Sequence, residues 1–278
     1  MTSTLASGVR VTRRVGPHRA HDRRNTFCTS RFCAVRLDGV LEVEHDFSAT
    51  EVSDEIADLL ASELDDRGVL RGQDEFEQVF VGIVASTEDG YSPEWLQFYR
   101  NSLDRLERGQ ASFAPVHEHA EALLVGSRVV DLGSCFGFFP LRIAKRGFDV
   151  LATDLSRPTM DLLADIAPLL HRSVRTASCD AADVPLPDDA ADTVTALHLL
   201  EHLPPAAADA VIAEALRVAH RRVVIAVPYE EEPRACYGHI ARYDTDALRE
   251  MAGRLCAQHP GLRADVHEFH GGWLILDQ

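Results

Sequence analysis

The chain has 278 residues, 46% of them hydrophobic and 26% charged, with 17 glycines and 13 prolines. That composition belongs to a folded globular protein and excludes a disordered chain, a collagen-like rod and a coiled coil. Acidic residues outnumber Lys and Arg by 44 to 28, a net charge of −16 that argues against nucleic-acid partners. No apolar run reaches the roughly 18 residues of a membrane span, so none is expected.

Residues 1–26 carry Arg10, Arg13, Arg14, Arg19, Arg23 and Arg24 against Asp22 alone. With no apolar stretch of signal-peptide length, they read as a basic, disordered arm. The six cysteines (Cys28, Cys33, Cys135, Cys179, Cys236 and Cys256) form no C-x-x-C pair. Without an export signal, the expectation is a reduced, cytoplasmic chain.

Residues 27–125 read as a hairpin followed by a helical cap. Phe32 to Val43 alternates around Asp38-Gly39, a two-residue turn signal. Residues 50–66 place Val52, Ile56, Leu59, Leu60 and Leu64 on one helical face, and Gly68 stops them. Residues 74–86 form a short apolar helix. Ser92-Pro93 then predicts an N-cap and first-turn proline for a helix that ends at Gly109, and 115–125 lead onward.

From residue 126 to 278 the pattern is strand alternating with helix. Strands are predicted at 128–132, 148–153, 173–179, 192–197 and 222–227, and helices at 138–146, 158–170, 206–219 and 245–257. This is an α/β fold, a parallel sheet with helices on both faces. Two closing strands, 264–269 and 272–277, have only a tight turn between them and should pair antiparallel.

Three strand ends carry the ligand signals. Val129-Val130-Asp131-Leu132-Gly133-Ser134-Cys135-Phe136-Gly137 runs from a buried strand through a glycine turn into a helix. Gly133 and Gly137 allow close backbone approach, and the helix N-terminus offers N–H groups to an anion. The next strand ends in Asp154, placed to accept from ribose hydroxyls, and the third in Asp180-Ala181, where an acid can accept from an adenine amino group. Taken singly, either aspartate could equally be a helix cap. The glycine spacing does not fit G-x-G-x-x-G, and no G-K-[ST] occurs.

As a set, these residues resemble the class I S-adenosylmethionine-dependent methyltransferases. The resemblance implies a Rossmann-like seven-stranded sheet with an antiparallel last strand. It implies S-adenosylmethionine as cofactor, held by Asp131, Gly133, Ser134, Gly137, Asp154, Asp180, Ala181 and Leu197. The run from Asp192 through His198, Glu201 and His202 to Pro204 looks like the family's fourth strand and the loop after it. The bulky Cys135-Phe136 departs from the smaller residues many members carry there. More narrowly, Leu70 to Phe76, Phe98 to Leu103, Gly133 to Leu141, Ala235 to His239 and His270 to Leu274 resemble the mycofactocin oligosaccharide methyltransferases. That likeness implies O-methylation of a glucose unit.

Such a transfer needs a positioned acceptor oxygen and a base for its proton. Histidine suits the task, and His198, His202 and His239 are the candidates, with His270 beside them. Glu201 and His202 could orient each other. Trp273 is expected to be core before it is a sugar platform, and Glu230-Glu231-Glu232 a solvated face. No metal is expected: His117-Glu118-His119 point different ways on one helix, although Asp192 or Glu201 could hold an ion. The expected partner is a small or glycan-bearing acceptor. A quinone or other metabolite acceptor, or a silent binding module on the same fold, remain alternatives.

Overall fold

The computed structural model describes residues 2–4, 8–14, 26–87 and 95–278. The Ser92-Pro93 cap and the arm's Arg19, Arg23 and Arg24 lie outside them. The chain divides into two compact units, 1–105 with 235–238 and 106–234 with 239–278.

The first unit is not only helical. β1 (Thr2–Thr4), β2 (Val9–Arg13), β3 (Phe27–Cys28), β4 (Phe32–Leu37) and β5 (Val40–His45) form one sheet in the order β1-β2-β5-β4-β3. The expected disordered arm is corrected here: Val9 and Val11 alternate with Arg10 and Thr12, which buries two valines while β2 pairs parallel to β5. The Asp38-Gly39 turn forms as predicted, both residues at positive φ (49° and 85°) between the antiparallel strands β4 and β5.

The expectation of reduced cysteines is also corrected. Cys28 and Cys33 face each other in the β3–β4 register with Cα atoms 4.1 Å apart, and they are disulfide-bonded. Cross-strand pairing brings their Cβ atoms together, which sequence spacing alone does not reveal.

α1 (Ile56–Leu60) runs into a π-helical turn, Ala61–Asp65, before Gly68. α2 (Gly72–Thr87) lies on the sheet so closely that a Cβ at Gly82 would fall 2.7 Å from Val11 Cβ. α3 (Leu96–Glu107) follows, with Phe98 edge-on to Phe80. The buried His45 ring joins β5 to α2: Phe47 N–H donates to Nδ1 (3.2 Å), and Nε2 bonds Ser86 Oγ (2.7 Å).

In the second unit α4 (Ala114–Leu123) precedes β6 (Arg128–Leu132), α5 (Phe138–Lys145), β7 (Asp149–Asp154), α6 (Arg157–Leu169) and β8 (Val174–Ser178). Then come β9 (Ala191–Leu197), α7 (Pro205–Val218), β10 (Ala219–Val227), α8 (Thr245–Gln258), β11 (Arg263–Glu268) and β12 (Gly272–Asp277). The sheet order is β11-β12-β10-β9-β6-β7-β8. β6 to β10 pair in parallel, and β12 is antiparallel to both β10 and β11. Their buried valines, Val129, Val130, Val194, Val223 and Val224, give these strands the apolar signal visible in the sequence.

Helices cover both faces. Ala208, Val211 and Ile212 of α7 and Leu248 and Leu255 of α8 pack with Val194, Val223 and Ile225. Val116 and Ala120 of α4 pack with Phe139, Ile143, Val129, Val224 and Trp273. This packing puts α4 in the second unit, where the sequence reading had grouped it with the cap. Trp273 is core as expected, and its Nε1–H donates to Phe269 O (2.7 Å).

Burial, reinforced by the Arg13 charge, lowers His45 to about 4. The folded pKa lies below the unfolded value of ~6.5, so the folded state binds fewer protons. His45 therefore supports full stability above pH ~6.5 and withdraws it as pH falls toward 4, by up to about 3 kcal/mol. Guanidinium unfolding at neutral and acidic pH should show a larger acid loss in the wild type than in His45→Gln; equal losses would remove His45 from the account.

Candidate active site

The predicted donor-side residues stand at or just beyond the carboxyl ends of four adjacent strands, β9, β6, β7 and β8. Asp131 is buried near the end of β6, and side-chain hydroxyls tie it to its surroundings. Thr195 Oγ1 of β9 donates to Oδ1 (2.5 Å), and Ser134 Oγ donates to Oδ2 (2.7 Å). Thr153 Oγ1 of β7 donates to the Asp131 carbonyl (2.9 Å). Burial pushes the carboxyl up to about 6, with the Thr195 and Ser134 hydrogen bonds pulling the other way. Asp131 thus holds the loop from beneath.

Above it the chain turns on Gly133 and Gly137, at φ +70° and +73°. A Cβ at Gly133 would sit 2.7 Å from Leu199 Cδ1, so the β6 loop and the β9 loop touch there. Ser134 N–H donates to Thr153 O (2.8 Å), and Gly137 caps α5. Cys135, the departure from the family's smaller residues, adopts φ +48° and donates its N–H to Asp154 Oδ2 (2.9 Å). Asp154 also accepts from Ser156 N–H (2.8 Å), so it does local capping while each oxygen keeps a further lone pair. Asp180 caps the next turn through Ala182 N–H (2.9 Å), with Ala181 beside it. Leu197 ends β9 opposite Ala226.

A second group stands after β9. His198 takes φ +55°, and its N–H donates to Ala226 O (2.9 Å). Its Nδ1 lies 3.4 Å from Glu201 Oε1. Ile240 and Ala241 N–H both donate to the Glu201 carbonyl (2.8 and 3.0 Å), which draws His239 to the same place. His239 Nε2 lies 3.9 Å from Glu201 Oε1, and the His202 and His239 rings meet edge-on at 4.8 Å. Burial, with neighbouring His239 and His202, lowers His198 to about 4; burial, with Glu230 adding, raises Glu201 to about 8.

Glu230 corrects the solvated-face expectation. Its Oε2 accepts from His239 Nδ1 (2.9 Å), whereas Glu231 and Glu232 are exposed. The other metal suggestion fails, because Asp192 is consumed by Ser127 N–H, Arg128 N–H and the Arg128 guanidinium. His270 lies in the β11–β12 turn, outside this group. His117 and His119 diverge: His117 is buried, while His119 Nε2 pairs with His267 Nε2 (2.7 Å). Thr195 and Thr153 escaped the sequence reading, although polar side chains in otherwise apolar central strands were a usable signal.

Residues 130–227 match the family model described as a methyltransferase domain. With β11 and β12, the strands of this segment make the seven-stranded sheet of a Rossmann-like methyltransferase fold. An uncharacterized methyltransferase of Mycobacterium tuberculosis is 31% identical over 121 residues, covering 43% of this chain and 47% of its own. A Mycobacterium bovis counterpart matches equally, so the chain spans about half the length of these curated relatives. A solved protein structure from Pyrococcus horikoshii superposes with a TM-score of 0.51 at 14% identity, covering 68% of this chain and 99% of that one. At that identity the likeness concerns the fold. Among the described residues no helix is long and apolar enough to cross a membrane.

Within the second unit, Thr195→Val should expose the dependence of the β6 loop on Asp131. One carboxyl oxygen would lose its donor while staying buried, at a cost of about 1–3 kcal/mol. Chemical denaturation measures this; an unchanged midpoint would mean that Asp131 needs no partner from β9.

Proposed function

We propose that this domain transfers a methyl group from S-adenosylmethionine to a hydroxyl of a small polyol or glycan-bearing acceptor. A glucose unit of the mycofactocin oligosaccharide is the acceptor that the sequence resemblance suggests. The observation that carries the reading is the adjacency of two groups. The glycine-hinged β6 loop with Asp154 meets, through the Gly133–Leu199 contact, the β9 loop that bears His198, Glu201 and His202.

The residues fit the cofactor. Gly133 and Gly137 keep side chains off the loop, α5 begins there, and Asp154 and Asp180 stand at successive strand ends with lone pairs to spare. When bound, S-adenosylmethionine supplies an electrophilic methyl group on a sulfonium centre. Asp154 would accept from the ribose hydroxyls and Asp180 from the adenine amino group. Ser134, Ala181 and Leu197 would shape the walls.

On the acceptor side, alignment of the hydroxyl oxygen within about 3–3.5 Å of the reacting carbon is the main task. The acceptor's proton must leave as attack proceeds, and His198, His202 and His239 line the place for it. His198 is a neutral imidazole at pH 7, since burial holds it near 4. Glu230 fixes the His239 proton on Nδ1 and turns Nε2 toward Glu201.

Calorimetric titration with S-adenosylhomocysteine tests the donor half. Asp154→Ala should weaken binding on the order of 10–100-fold through lost charge-assisted hydrogen bonds. Transfer of labelled methyl groups to a panel of polyols and glucosides tests the acceptor half. Ala at 198, 202 or 239 should cut turnover while leaving S-adenosylhomocysteine affinity unchanged. Failure of the wild type to bind S-adenosylhomocysteine would end the proposal.

A further inference from the structure

The Glu201 carboxylate is the least explained polar group in the second unit. It is 1% exposed, and neither oxygen has a hydrogen-bond donor among the described residues. A buried carboxyl in that condition forfeits its full hydration, which native structures seldom tolerate without an ion or a water. What surrounds it is imidazole. One ligand atom each from Glu201, His202 and His239 lie within 4.8 Å of one another, and His198 Nδ1 borders the same oxygen at 3.4 Å.

We propose that Glu201, His202 and His239 bind one divalent transition-metal ion. Two nitrogen donors and one carboxylate suit zinc, cobalt, manganese or iron(II), whereas magnesium and calcium prefer oxygen sets. Ligand atoms about 2.1 Å from a tetrahedral ion lie roughly 3.4 Å apart, so closing a gap of 4.8 Å takes about 1.4 Å of movement, shared between two side chains. The backbone is already arranged for it, because the two N–H bonds to the Glu201 carbonyl hold the residues after His239 in place.

Glu230 supports the assignment independently. It accepts from His239 Nδ1 (2.9 Å), which leaves Nε2 as the coordinating nitrogen. A carboxylate behind a histidine in this way is the usual outer partner of a metal ligand, fixing the tautomer and raising basicity. Three protein ligands leave a position for a water or a substrate oxygen, the pattern of catalytic rather than structural sites. Acidifying an acceptor hydroxyl bound there is the role this gives the ion, and with His202 and His239 engaged as ligands it leaves His198 as the base. That role rests on the proposed methyl transfer; the binding site does not.

The test is titration of the full chain, freed of metal by a chelator, with Co²⁺ and then Zn²⁺. One equivalent of Co²⁺ should bind with a visible d–d spectrum, and Zn²⁺ should displace it. Glu201→Gln and His202→Ala should each weaken binding at least 100-fold, and Glu230→Gln about 10–100-fold as an outer partner. His119→Ala, at the other histidine pair, should change nothing. Far-ultraviolet circular dichroism of each variant reports whether the fold survives. No uptake of Co²⁺ by the wild type overturns the site, as does uptake that survives Glu201→Gln or vanishes only with His119→Ala. Co²⁺ binding without any affinity for S-adenosylhomocysteine would keep the site and sink the methyl-transfer role alone.

Discussion

A carboxylate placed under a loop organises this site. Burying Asp131 costs several kcal/mol of lost hydration, and the cost is recovered only if its oxygens find donors. They find Thr195 from β9 and Ser134 from the loop itself, while Thr153 of β7 grips the carbonyl of the same residue. One residue on β6 therefore ties down both neighbouring strands and the turn above. The positive-φ glycines can then shape that turn freely, because its base is held.

The same principle is left incomplete one strand over. Glu201 is as buried as Asp131, yet no Thr or Ser reaches it. Imidazoles stand around it instead, one of them braced by a second carboxylate. The ends of β6 and β9 thus lead to two buried acids, one satisfied by hydroxyls and one surrounded by groups that can bind cations or move protons. A satisfied acid stabilises a shape, and an unsatisfied one waits for a partner.

Much of the second unit was legible beforehand. Valine-rich segments alternating with helical patterns marked β6, β7, β9 and β10, and the single-glycine gap at Gly271 foretold the antiparallel β11–β12 pair. Asp154 and Asp180 stand at strand ends because strand length fixes where a strand stops. The first unit was harder to read. β2 alternates valine with arginine and β3 has two residues, so neither carries enough apolar pattern to outweigh the basic composition around it. The Cys28–Cys33 bond depends on cross-strand register, which is a tertiary fact. Glu230 sat in a run of three glutamates, and only folding separates the one that meets His239 from the two that meet water.

His198 holds a left-handed backbone, φ +55°, at the junction between β9 and the turn that carries Glu201. Few side chains accept that conformation without strain: glycine, asparagine and aspartate do, and branched residues do not. Evolutionary drift at this position is thereby channelled. A lineage that gave up the imidazole could move to a small polar residue or to no side chain at all, but a valine or isoleucine there would first have to rebuild the loop.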